Sequence, residues 1–241
     1  MVRLSIIVPT FNSAAVLQGM FDSIVCQTCT DYEVIVVDGA STDGTMEIVY
    51  ANVARFPRGC VQYISEPDGG VYDAMNKGIV ASHGEWLYFM GADDRLYDRY
   101  CLDNLSAFLD DSADVVLCDI HSPKRGRCSS SFSWMTYLRN TVHHQGVVYR
   151  RRVFDRRGYD VTLQVMGDYE MNLYLYHRGC RMRRARFVLA EHLPGGLSGS
   201  VRWINYSEET RVRNRYLGSP VLRMLCAAAG VLKFSVKQCL C

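Results

Sequence analysis

The stretch Glu33-Val34-Ile35-Val36-Val37-Asp38-Gly39-Ala40-Ser41-Thr42-Asp43-Gly44 decides the fold. Four β-branched residues after Glu33 stop abruptly at two acids set among small, turn-forming residues. A short unbroken apolar run closed by turn chemistry reads as a strand buried on both faces. Strands of that kind belong to parallel sheets covered by helices. Upstream, Leu4–Val8 repeats the composition and is followed by Pro9-Thr10-Phe11-Asn12, a strand ending in a loop. Between the two strands, Val16, Leu17, Met20, Phe21, Ile24 and Val25 recur at helical spacing behind Ser13, a candidate helix cap. Downstream, a helix carries Met46, Ile48, Val49 and Val53, Val61–Ile64 is a third strand, a helix spans Val71–Val80, and Glu85–Met90 is a fourth strand. Strands alternating with helices predict an α/β fold with a mostly parallel, Rossmann-like sheet flanked by helices. Such sheets take ligands at the carboxyl ends of their strands. Asp38 and the pair Asp93-Asp94 each lie just past such an end.

The pattern loosens after Asp94. A helix near Tyr100–Leu109, strands at Val115–Asp119 and Gly146–Tyr149, a polar loop at Ser122–Ser133 and a helix at Tyr169–His177 are expected. The 241 residues, 49% hydrophobic and 22% charged, suit one packed domain rather than a disordered chain. A net charge of +2 decides nothing about partners. Arginines nevertheless cluster at 150–152 with 156 and 157, and again at 178, 181, 183, 184 and 186; these are either an anion-binding surface or a solvated one. Ten cysteines are scattered singly. Cys26 and Cys29 have CxxC spacing without a second pair, so the reading is a helix end and free thiols in a reducing cytoplasm. The run Leu4–Val8 is too short for a signal peptide and ends at Pro9, and no segment reads as a full membrane span.

A strand-end acid such as Asp38 can accept hydrogen bonds from a base or ribose, or be satisfied within its own turn by Ser41 and Thr42. The adjacent carboxylates Asp93 and Asp94 repel unless a cation lies between them and their ligand, or unless both face water. There is no GxxxxGK[ST] loop and no GxGxxG after the first strand, which speaks against P-loop and dinucleotide folds.

Four segments together resemble a known family. They are Val8–Asn12, Val36–Thr45, Ser65–Gly78 (Ser-Glu-Pro-Asp-Gly-Gly-Val-Tyr-Asp-Ala-Met-Asn-Lys-Gly) and Phe89–Asp94. In order and spacing over residues 4–95 they look like family 2 glycosyltransferases of the GT-A fold, most similar to bacterial enzymes of capsule, exopolysaccharide and lipopolysaccharide assembly. The likeness continues more weakly through His143-His144-Gln145, Val165–Glu170 and Gly195–Ser198. It implies a GT-A domain over 1–218, with a nucleotide-binding half at 1–95 and an acceptor half at 96–218. It implies that Asp38 contacts the base, with Pro9, Thr10 and Asn12 lining the same pocket. Asp68 is counted among the donor-binding residues. Asp93 would contact ribose or donor sugar, Asp94 would bind Mg²⁺ or Mn²⁺ across the diphosphate, and His144 and Gln145 would orient phosphates or acceptor. Asp168 stands where the family keeps its catalytic base, with Glu170 as the rival and a helix-capping role as the alternative. One departure is Gly91, where the family often has an acid.

Inverting sugar transfer needs a base for the acceptor hydroxyl and a cation for the leaving diphosphate. The expected reaction therefore moves a sugar from a nucleotide-diphosphate donor to a glycan or polyprenyl-linked acceptor in cell-surface polysaccharide biosynthesis. A nucleotidyltransferase would show a Gly-rich basic loop after the first strand, which Pro9–Ser13 lacks; a non-catalytic sugar-binding module would lack Asp94 or Asp168. No aromatic-basic interleaving suggests nucleic acid. Trp134, Tyr137 and Trp203 are expected in the core, with sugar stacking as the other use. In the tail, 219–241, Arg223, Lys233 and Lys237 fall on one stripe of an apolar helix. That helix either lies on the inner face of the cytoplasmic membrane or docks on protein.

Overall fold

The computed structural model describes residues 3–193 and 202–240, with side chains of the last helix as far as residue 236. The first half alternates as the sequence predicts: β1 (Leu4–Thr10), α1 (Ala14–Val25), β2 (Tyr32–Asp38), α2 (Thr45–Val53), β3 (Val61–Ser65), α3 (Val71–Ala81) and β4 (Trp86–Phe89). These strands lie parallel in the order β3-β2-β1-β4. Because side chains alternate across a strand, Leu4, Ile6 and Val8 of β1 with Val34 and Val36 of β2 pack beneath α1 and α2. Ile7, Ile35 and Val37 pack beneath α3 on the opposite face. Two-sided burial is why these strands read as unbroken apolar runs.

The second half comprises β5 (Arg95–Leu96), α4 (Cys101–Ser106), β6 (Val115–Ser122), β7 (Gly126–Ser129), β8 (Val147–Arg150), α5 (Gly167–His177), β9 (Met182–Glu191), α6 (Trp203–Tyr216) and α7 (Pro220–Leu240). It extends the sheet as β4-β8-β6-β9-β5, with β7 on β6. β8 runs antiparallel to both β4 and β6, and β9 runs parallel to β6. Hence β1, β2, β3, β4, β6 and β9 all point the same way, and one edge of the sheet collects their carboxyl ends together with the start of β8. The sheet is parallel in its first half and mixed in its second.

Several expectations change. Part of the polar loop 122–133 is β7, hairpinned to β6. β9 escaped the sequence reading because Arg183, Arg184 and Arg186 interrupt its apolar pattern. Those arginine clusters are largely neutralised: Arg150 pairs with Glu85 and Asp111, Arg152 and Arg181 with Asp114, Arg183 with Asp110, Arg184 with Asp119 and Arg157 with Glu170. Burial pushes the Asp114 carboxyl up, but hydrogen bonds from Arg181 and Arg152 hold it well below the usual range. Asp114, Glu85, Arg150 and Arg181 sit where β4, β6 and β9 begin and β8 ends, the edge opposite the carboxyl ends. Ser13 precedes α1, but its hydroxyl bonds Phe11 O; Asp43 caps the helix instead, accepting from Ala14 N at 3.0 Å. Trp134 is 66% exposed and Trp203 half exposed, so neither is core. Cys26 is the C-cap of α1 and both CxxC thiols are free. The Gly195–Ser198 segment lies outside the described residues.

Candidate active site

At the carboxyl edge, β1 extends two residues further than expected, so Pro9 and Thr10 belong to the strand. Ile7 O accepts from Met90 N at 3.0 Å and Thr10 O accepts from Gly39 N at 2.9 Å, so alternate residues of β1 bond alternate neighbours. The next rung toward β4 would need an N–H from residue 9. Proline has none, and the β1–β4 ladder ends at Ile7↔Phe89.

Asp38 ends β2 wholly buried. It accepts from Ser41 N at 3.0 Å, from Ser41 Oγ, from Ser65 Oγ at 2.7 Å and from Thr10 Oγ1 at 3.4 Å. One carboxylate thus ties together the ends of β1, β2 and β3. The loops above it are stitched to each other: Asn12 N donates to Ser41 Oγ at 2.8 Å, and Thr42 N donates to Asn12 Oδ1 at 3.0 Å. Asn12 (φ 47°) and Ala40 (φ 62°) both occupy the left-handed region that non-glycine residues avoid. Strain of about 1 kcal/mol or more at each is held by the surrounding bonds and clusters at this one end of the molecule. Asp68 accepts from Gly70 N at 2.8 Å, and its other oxygen lies over Gly39, 2.7 Å from where a Cβ would stand. The Phe11 ring crowds the same point yet is 63% exposed, an aromatic face the sequence reading did not single out.

Past β4, Asp94 is buried and Asp93 half buried. Asp94 Oδ2 accepts from Gly91 N at 3.1 Å, and Asp94 Oδ1 lies 3.3 Å from His192 Nδ1. Gly91 gives both carboxylates room: a Cβ would meet Asp94 Oδ2 at 2.8 Å and Asp93 Oδ1 at 3.0 Å. Burial, and then the Asp94 charge, push the Asp93 carboxyl up. The hydrogen bond to Asp94 raises His192, favouring its protonated form. His192 Nδ1 also lies 3.0 Å from the Gln145 side-chain amide. The amide atom there is Nε2, a donor, so a proton on Nδ1 toward Asp94 requires the Gln145 amide to be turned over. His192 was missed because it stands directly after β9, the strand hidden by its arginines. His144 begins the turn before β8, and its Nδ1 is buried without a partner among the described residues.

Adjacent carboxylates, one of them destabilised in its charged form, fit a hard divalent ion. Among the described residues no three or more His, Cys, Asp or Glu side chains form a ready cage. An ion held by Asp94 and Asp93 would complete its shell with donor phosphates, as Mg²⁺ commonly does.

Asp168 lies in the first turn of α5. Tyr72, from the first turn of α3, donates to Val165 O at 2.7 Å and approaches Asp168 Oδ1 at 3.4 Å, which brings Asp168 beside the carboxyl edge. Burial and the Asp168 charge push the Tyr72 hydroxyl far above its usual value, so it stays a donor. The rival Glu170 is buried in a cluster with Arg157, Arg215 and Tyr216, whose hydroxyl donates to it at 2.6 Å. The loop before Asp168 is clamped by Glu208 of α6, which accepts from Gln164 N at 2.8 Å, Val165 N at 2.9 Å and Met166 N at 3.1 Å.

A family model described as Glycosyl transferase family 2 matches residues 5–187. A PGL/p-HBAD biosynthesis glycosyltransferase of Mycobacterium bovis (strain BCG / Pasteur 1173P2) is 35% identical over 210 residues, covering 82% of this chain and 79% of its own. Among solved structures, S. aureus TarS 1-349 in complex with UDP superposes with a TM-score of 0.69 at 22% identity, over 95% of this chain and 70% of that one. Mannosyltransferase PcManGT from Pyrobaculum calidifontis, in complex with GDP-Man and Mn²⁺, gives 0.72 at 20% identity over 97% and 75%. These two likenesses establish the GT-A architecture, and the family match with the mycobacterial relative establishes membership: the chain belongs to glycosyl transferase family 2 and is a glycosyltransferase.

Proposed function

We propose that the enzyme transfers a sugar, with inversion, from a nucleotide-diphosphate donor to a glycan or polyprenyl-linked acceptor in cell-surface glycolipid or polysaccharide biosynthesis. The observation that carries this reading is the convergence on one sheet edge of Asp38, Asp68, Asp93, Asp94 and Asp168. The UDP and GDP-Man complexes of the structural neighbours support the donor class, and the mycobacterial relative's name supports a cell-surface acceptor.

Pro9, Thr10, Asn12 and Asp38 form the base end, with residues 1–95 as the donor half and 96–218 as the acceptor half. A base contacting Asp38 displaces one of the hydroxyls already bonded to it. Asp93 meets the ribose or sugar, Asp68 closes the same pocket, and His144 and Gln145 orient phosphates or acceptor. Asp94, with Asp93 beside it, would hold Mg²⁺ or Mn²⁺, which would supply charge neutralisation for the diphosphate. His192, shifted toward its protonated form by Asp94, stands beside that end. The acceptor oxygen attacks the anomeric carbon as the bond from that carbon to the diphosphate oxygen breaks; the hydroxyl proton passes to Asp168, and the nucleoside diphosphate leaves. Glu170, already bonded to Arg157 and Tyr216, leaves the base role to Asp168.

Nucleotide sugars are screened for protection against thermal unfolding, and turnover is then measured with the donor that binds. Asp168→Asn should bind that donor as the wild type does while kcat falls at least about 100-fold. Unchanged kcat in that variant removes Asp168 as the base, and protection by no nucleotide sugar overturns the donor class.

A further inference from the structure

Helix α7 is docked the opposite way round from a helix held on a core by its apolar face. It packs on α6 with Cys226 and Gly230, both buried. A Cβ on Gly230 would stand 2.8 Å from Thr210 Oγ1, so the two helices touch closely there. Arg223 Nε donates to Leu217 O at 2.6 Å, and Lys233 Nζ reaches Glu209 Oε2 at 3.5 Å while lying over the Tyr206 ring. At 100° per residue, positions 223, 226, 230 and 233 fall within an arc of about 80°. The basic stripe legible in the sequence therefore lies along the seam with α6. The other face points outward: Val221, Met224, Leu225, Val231, Leu232 and Val236 are all exposed, Met224 at 70%.

A continuous apolar face of this length is of the size that marks interaction sites. The core is excluded, because α7 meets it through the opposite side. A second copy is a poor fit: 21 residues make a helix about 31 Å long. A face about 10 Å wide then offers about 300 Å² per partner, against about 800 Å² in a stable complex. The chemistry suits a lipid surface. Residues 217–241 contain no Asp or Glu but do contain Arg223, Lys233 and Lys237. Trp203, half exposed, packs edge-on against Phe234 beside the seam. Among the described residues no helix is long and apolar enough to cross a membrane.

We propose that α7 is an interfacial anchor: its outward face lies in an anionic bilayer surface, from which a segment with no acidic residue is not repelled, and the catalytic domain stands on it through α6. The proposal deepens the reading of a lipid-linked acceptor without depending on it. Because α6 also carries Glu208, which clamps the loop before Asp168, the bilayer lies one helix away from the element that sets the proposed base.

The test is co-sedimentation of the full chain with vesicles of phosphatidylcholine alone or of equal parts phosphatidylcholine and phosphatidylglycerol. The wild type should sediment with the anionic vesicles and be released by salt. The double variant Met224→Glu, Leu232→Glu, altered only on the outward face, should keep its melting temperature and lose at least about tenfold in partitioning. A wild type that stays in the supernatant with both vesicles overturns the proposal, as does a double variant that sediments like wild type. A dimer in light scattering that the double variant splits to monomers gives the face to a second copy, and also overturns it. Sedimentation is read without donor or acceptor, so it stands or falls separately from the transfer reaction.

Discussion

Glu208→Gln is the sharpest probe of how the second half of the chain is built. The wild-type carboxylate is buried and accepts three backbone N–H groups, one on Oε1 and two on Oε2. Glutamine keeps one oxygen and turns the other into a donor. In its better orientation the amide oxygen serves Val165 and Met166 and leaves Gln164 N facing an NH₂ group; in the worse one, two N–H groups are stranded. Hydrogen bonds to charged groups contribute about 1.5–3 kcal/mol each, so the substitution should cost about 2–4 kcal/mol. For a chain of this size that lowers Tm by about 5–10 °C. The loop 164–166 leads directly into Asp168, and a shift of about 1 Å in a catalytic group costs about 100-fold in rate. Initial rates of nucleoside diphosphate release across donor concentrations should show kcat down about 10- to 100-fold with donor KM unchanged, because Glu208 touches nothing at the base end. A purely structural role would lower the active fraction without that split once rates are normalised to folded protein. A variant that melts within about 1 °C of wild type and turns over normally refutes the clamp.

Asp94→Asn should remove the metal dependence of donor binding, read by calorimetry with and without Mn²⁺, and weaken affinity with metal by at least about tenfold; retained metal dependence moves the ion elsewhere. Asp160→Asn tests an acid-sensitive pair at the start of the loop before Asp168. Burial pushes the Asp160 carboxyl up, but hydrogen bonds from Thr162 and Arg215 outweigh it and bring the group to about 2. A depressed carboxyl stabilises the fold above its unfolded value near 3.8 and loses that contribution as pH falls toward 2. The variant should therefore be less stable by about 1 kcal/mol at neutral pH, allowing for solvent screening, with the gap closing below about pH 4 in urea melts. Trp134→Ala should leave stability within about 0.5 kcal/mol, since the ring is exposed, and raise acceptor KM about 5- to 10-fold if the indole stacks on sugar; an unchanged KM returns Trp134 to bare surface.

The first half was legible because β1, β2 and β4 are buried on both sides and each turn carries its own chemistry. The second half was not, for particular reasons. β9 carries arginines whose partners, Asp110 and Asp119, come from elsewhere in the chain, so its surface composition hid a strand of the sheet. His192 meets Asp94 across 98 residues, a contact that no local pattern encodes. Asp168 and Glu170 are two residues apart, about 200° around a helix, and nothing in the string says which side receives Arg157. Ser13 looked like the cap of α1, yet Asp43, thirty residues later, reaches Ala14 N and also bonds Thr45. The stripe on α7 was visible as a stripe, but which side of it meets α6 was decided by Gly230 and Glu209.

Pro9 shows how little is needed to end a ladder within a continuous sheet. With one donor missing, β1 and β4 stay zipped only to Ile7 and Phe89, and beyond that point the two chains are free to diverge. β1 continues alongside β2 toward Asp38, while the chain after β4 turns back on itself at Gly91 to present Asp93 and Asp94. The result is a fork in the sheet with Asp38 on one branch and Asp93 and Asp94 on the other. An amide proton at position 9 would let the fork close by one rung, so an imino acid acts here as a wedge.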